Sequence, residues 1–164
     1  MMAGSHVAVG VAAWVWAAPY LGLPVLDPLP LALAGIGSLL PDIDHPQSWV
    51  GLRLRMISRP LAATLGHRGI THSLLAVIIC GLLLRWVGFS RTAVDAVVVG
   101  YLSHLAADLL TSSGLRLMWP SRWRFAIPLC KTGSTTEWIV VVCAVTWVGA
   151  HAMGWPSRLS ISSW

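Results

Sequence analysis

Five apolar runs constrain this chain more than any other feature. They extend from about His6 to Leu23, Leu29 to Leu40, His72 to Val87, Thr92 to Thr111 and Thr136 to Trp155. Buried strands run about 4–8 residues, so runs of this length and uniformity predict helices. In a bilayer core every backbone group must be satisfied within its own segment, which helices achieve. The expected fold is therefore all-α: a polytopic membrane helical bundle with four full transmembrane helices. The fifth helix, 29–40, is shorter than the ~20 residues of a full span and is expected to be short or re-entrant. Residues 1–164 read as a single domain.

A soluble bundle is excluded by charge. Only 10% of residues are charged, against ~25% in soluble domains. The net charge of +5 comes almost entirely from Arg placed between apolar runs. That placement predicts loop charge that sets orientation in a membrane and gives no reason to expect a nucleic-acid partner. The ten Trp read as interface anchors. Cys80, Cys130 and Cys143 form no C-x-x-C and read as small apolar residues or a stray thiol. No Lys or Arg precedes the first run, so a retained helix is expected there in place of a signal peptide.

Local signals place the helix ends. Asp27 and Pro28 fit an N-cap and first helical position, Thr71 a second N-cap, and Gly114 a stop. Gly35, Gly37, Gly81 and Gly100 would allow helices to approach closely. The stretch 51–65 alternates basic and apolar residues and is expected to lie along the membrane interface. The second Arg-rich loop, with Trp119-Pro120 and Arg122-Trp123-Arg124, reads as another interfacial segment, with a docking surface as the alternative.

If all five segments cross or nearly cross, loops 41–71 and 114–135 share one side with the N-terminus. That side carries Arg53, Arg55, Arg59, Arg68, Arg116, Arg122, Arg124 and Lys131; the other carries Arg85, Arg91 and Arg158. The richer side is expected in the cytoplasm. The candidate ligands were located from different residues, yet His6, Asp42, Asp44, His45, His67, His72, His104, Asp108 and Glu137 all fall at that same face.

His104 and Asp108 are four apart and so share a helix face. A polar pair in an apolar helix costs free energy unless satisfied, and usually marks function, although a structural hydrogen-bonded pair is the plainer alternative. Asp42-Ile43-Asp44-His45 offers carboxylates and an imidazole, a donor set that suits zinc, manganese or iron better than calcium or magnesium. Alone it could equally be a solvated turn. His67 and His72 flank a glycine-containing turn, and Arg68 could clamp a phosphate or serve only as loop charge. His6 and Glu137 sit at the right face, but each could be interfacial, and Glu137 could instead support a helix start. His151, Asp95 and Asp27 are left out. The strong candidates exceed the three protein ligands of one catalytic zinc. One or two ions are therefore expected, with some residues holding ligands in place or acting as base. Metal-activated water is the expected nucleophile, with Asp42, Asp44 or Asp108 taking its proton.

The stretches Gly37-Ser38-Leu39-Leu40-Pro41-Asp42-Ile43-Asp44-His45, His67-Arg68-Gly69-Ile70-Thr71-His72-Ser73 and Gly100-Tyr101-Leu102-Ser103-His104-Leu105-Ala106-Ala107-Asp108 resemble the YdjM-like family. Its members are LexA-regulated in some cases and are described as metal-dependent hydrolases of the inner membrane. The resemblance covers about residues 4–140 and implies a bacterial or archaeal inner-membrane location. Zinc-dependent phospholipase C offers an analogy in ligand types alone.

The expected function is thus hydrolysis of phosphoester or ester bonds in lipid-like or anionic molecules at the cytoplasmic face. Asp42, Asp108 and Arg68 are the expected catalytic residues, and membrane lipids the expected partners. Two competitors come from other classes. A metal or proton transporter predicts ligands spread through the membrane depth. A non-catalytic assembly component predicts a closed structural metal site.

Overall fold

The computed structural model describes residues 1–65, 69–112, 114–121 and 123–154. Seven α-helices occur among these residues: α1 (Ala3–Ala17), α2 (Pro28–Gly37), α3 (Trp49–Arg53), α4 (Arg55–Leu65), α5 (Leu74–Trp86), α6 (Arg91–Leu109) and α7 (Thr135–Ala152). No strand occurs among them. Two isolated bridges, Thr111 with Cys130 and Leu115 with Phe125, fold the following loop back against the end of α6.

Local chemistry explains most boundaries. Asp27 caps α2 by accepting from Leu29 N at 3.2 Å, with Pro28 at the first helical position. Ser90 and Ser134 cap α6 and α7 in the same way. The cap of α5 is Ser73, which accepts from Ala76 N, and not the expected Thr71. Thr71 lies inside a 3-10 turn, Ile70–His72, where its hydroxyl is used elsewhere.

The expected four full spans are corrected to two candidates. Among the described residues only α6, with 19 residues, and α7, with 18, are long and apolar enough to cross a membrane. At 1.5 Å per residue α1 covers about 22 Å and α5 about 20 Å, short of a ~30 Å hydrocarbon core. The causes are local. Pro19 and left-handed Gly22 divert the first run into a 3-10 turn. In the third run, the turn at Ile70–His72 delays the start of α5, and Gly88 at φ 97° ends the run. The short second helix is as expected: α2 has 10 residues.

α6 is the central element, packed by α1, α2 and α5, while α7 packs on α1 and is largely exposed. The α2–α6 crossing depends on two of the expected glycines. A Cβ on Gly37 would lie 2.3 Å from the Val97 carbonyl oxygen, and one on Gly100 would lie 2.0 Å from that of Ala34. Backbones at this separation leave no room for any side chain. Trp14 departs from its expected role as an interface anchor. It is fully buried against Ala18, Ala34 and Ala96, whose small side chains leave a space that the indole fills.

Candidate metal centre

The α2–α6 crossing carries directly into the site. Gly100 and Ala34 touch one helical turn before His104 and Ser38. The next turn therefore brings His104 Nδ1 to 2.6 Å from the Ser38 carbonyl oxygen. A carbonyl can only accept, so Nδ1 carries the proton and the lone pair is on Nε2.

His72 is oriented by a different device with the same result. Its Nδ1 lies 3.1 Å from Thr71 Oγ1 and 3.6 Å from Asp44 Oδ2. Thr71 Oγ1 donates to Asp44 Oδ2, so the hydroxyl is left to accept from His72 Nδ1–H. Tyr101 secures this turn by donating to the Thr71 carbonyl at 2.6 Å. Both rings thus present Nε2 inward, and the two Nε2 atoms are 3.3 Å apart. Two lone pairs facing each other at that distance repel unless a cation lies between them, whether proton or metal. Two imidazole nitrogens on one tetrahedral zinc, at ~2.05 Å each, would be about 3.3 Å apart.

Carboxylates complete the set. Asp42 Oδ1 is 3.9 Å from each of the two Nε2 atoms. Asp108 Oδ2 is 3.9 Å from His72 Nε2 and 3.8 Å from His104 Nε2. The other oxygen, Asp108 Oδ1, pairs with the Met1 ammonium at 2.8 Å and with His6 Nε2 at 3.4 Å. His6 stacks on His104 with ring centroids 3.8 Å apart, and its buried Nδ1 has no hydrogen-bond partner among the described residues. Among the described residues two groups could hold an ion: Asp42, His72 and His104, and His6, His104 and Asp108. Imidazole nitrogen plus carboxylate oxygen is a fitting donor set for zinc, manganese or iron.

The remaining candidates are placed differently. Asp44 stands behind His72. Glu137 belongs to neither group, and its oxygens accept from Ser5 Oγ at 2.5 Å and from Met2 N and Gly133 N at 2.7 Å each. It ties the start of α1 to the start of α7. His45 is half-buried just after the 3-10 turn Pro41–Asp44 and belongs to neither group. His67 and Arg68 lie outside the described residues. Sequence reasoning missed Ser38 and Tyr101 as supports, and it read Thr71 as a cap. Nothing local to Ser38 or Tyr101 marks either residue, because each acts across more than 25 residues of chain.

Outside the candidate spans, burial raises the Cys130 thiol pKa, and the nearby Glu137 charge adds to this. The thiol donates to the Leu110 carbonyl.

If Asp44 sets the His72 ring, Asp44→Asn lowers metal affinity by about 10–100-fold, the usual cost of losing a partner behind a ligand. Competition with a chromogenic chelator measures this. An unchanged affinity would show that Asp44 does not support the ligand.

Comparison with known proteins gives a consistent answer. The family model described as "YdjM inner membrane protein" matches residues 1–162. The inner membrane protein YdjM of Escherichia coli (strain K12) is 44% identical over 117 residues, 66% of this chain and 59% of the relative. The Shigella flexneri protein of that name matches to the same extent. The chain thus spans less than two thirds of the length of these two relatives. Uncharacterized protein YvsG of Bacillus subtilis (strain 168) is 35% identical over 143 residues, 86% of this chain and 88% of the relative. No solved structure matches.

Proposed function

The chain belongs to the YdjM inner membrane protein family, and we propose that it is a metal-dependent hydrolase of phosphoester or ester bonds in lipid-like, anionic substrates. One observation carries the reading: two buried imidazoles, each with its proton fixed on the outer nitrogen, meet at Nε2 to Nε2 with two carboxylates beside them. A proton alone would satisfy the pair, but it would not account for Asp42 and Asp108 converging on the same point.

We assign one ion, with zinc first and manganese or iron next. His104 has a single lone pair to give, because Ser38 holds its Nδ1, so it cannot serve two ions at once. His72 and His104 hold the ion together with Asp108, a set that draws on both groups, since Asp108 Oδ2 lies 3.9 and 3.8 Å from the two Nε2 atoms. When bound, it supplies Lewis acidity that activates water and polarises the scissile bond. Asp42 is the base. Its side chain is 18% exposed, against 2% or less for His72, His104 and Asp108, so it faces the direction of substrate entry. It takes the proton of the attacking water and returns it to the leaving oxygen as the ester bond breaks. The arginine-rich loops attract the anionic head, and the positive-inside rule predicts a cytoplasmic location for them.

The burial of the His residues favours one second reading, a closed structural metal site. Incubating the zinc-loaded protein with phospholipid vesicles separates the two. Release of headgroup or phosphate, abolished by chelation and by Asp42→Asn, is expected. Stoichiometric metal without turnover would leave the structural reading. No metal under any loading condition would defeat both.

A further inference from the structure

A second site lies beside the centre and uses none of its ligands. A cavity of about 320 Å³ is lined by Ala3, Gly4, Val7, Leu39 and Trp49. Leu39 follows Ser38, whose carbonyl holds His104, and Gly4 precedes the Ser5–Glu137 contact. The cavity lies between α1, the end of the α2 segment and α3. Its lining offers no charged side chain, and an apolar cavity of this kind does not hold water well.

At its wall the chemistry changes. The Arg53 guanidinium lies 3.7 Å over the Trp49 ring and donates to the Trp49 carbonyl. A guanidinium has five donors in a rigid fork suited to phosphate. Arg55 and Arg59 follow on α4, also exposed, and α3 and α4 contain no acidic residue. Leu52, Leu54, Met56 and Ile57 are exposed among these arginines. Cationic heads interleaved with apolar side chains form a surface for the headgroup level of a bilayer.

We propose that this slot and the α3–α4 arm form a binding site for one anionic phospholipid, with an acyl chain in the cavity and the phosphate on Arg53. The occupant is argued from charge: an arm carrying three arginines and no carboxylate selects an anionic head over a zwitterionic one. The proposal needs only the membrane location of the family, and it stands or falls apart from the hydrolase reading.

The test uses the full chain reconstituted in nanodiscs of phosphatidylcholine mixed with phosphatidylglycerol, then released into detergent for native mass spectrometry. One retained phosphatidylglycerol per chain is expected. Arg53→Gln should lower the preference for phosphatidylglycerol about fivefold, the share of one surface cation. Gly4→Phe fills the slot where an added Cβ meets nothing within 4 Å, and it should abolish retention of either lipid. Helical circular dichroism and metal content, measured on both variants, confirm that each is folded. Equal retention of the two lipids by the parent chain overturns the proposal. So does full retention by folded Gly4→Phe. Loss of lipid with intact metal, or of metal with intact lipid, identifies which of the two sites has failed.

Discussion

Replacing His104 by alanine removes stoichiometric metal from the purified protein. His104 is the one residue common to both groups that could hold an ion, so neither survives its loss. The expected fall in affinity exceeds about 100-fold, beyond the 10–100-fold range typical of a partner standing behind a ligand. Alanine also leaves a void and an unpaired Ser38 carbonyl, each of which costs stability. His104→Gln separates the effects, because its amide can still donate to Ser38 while no imidazole nitrogen remains. Metal analysis of both variants should give the same loss, with helical content kept in the glutamine variant. His151→Ala is the control. His151 is exposed, near Tyr20 at 3.4 Å and far along α7 from the centre, and its loss should leave metal content unchanged. Retention of metal by folded His104→Gln would sink the assignment.

The second large effect is on the scaffold. Gly100→Ala puts a methyl group 2.0 Å from a backbone oxygen of α2, so the helices must separate. Overpacking against backbone costs about 3 kcal/mol. For a chain of this size that corresponds to a fall of about 10 °C in the apparent melting temperature. The same separation moves Ser38 away from His104 one turn later, so metal affinity should fall together with stability. Gly149→Ala is the matched control on α7, where an added Cβ meets nothing within 4 Å. Alanine there should be neutral or stabilising by up to about 1 kcal/mol. Thermal unfolding in detergent, with and without zinc, tests both. A Gly100→Ala protein as stable as the parent would mean that the crossing is not as tight as described.

The resemblance and the all-helical class were legible because they depend on local information. Run length and the Asp27-Pro28 start are decided within a few residues of chain. So is the i, i+4 spacing of His104 and Asp108. The number of spanning helices was less legible. Apolarity continues through Pro19 and through Ile70–His72, while helical hydrogen bonding does not. Hydropathy therefore overstated the length of α1 and α5.

The sequence by itself determined which residue types gather at one end of the bundle, since helix order and the positions of ligands along each helix suffice for that. Only the tertiary structure decided what each ligand candidate does. Asp44 and Glu137 are both buried carboxylates at the correct face, yet one braces His72 and the other fastens α1 to α7. The inward direction of the His104 lone pair is set by a carbonyl 66 residues earlier in the chain. Such choices depend on distances of a few tenths of an ångström between segments far apart in sequence. Those distances are set by the glycine-dependent crossing of α2 and α6, which local propensity does not encode.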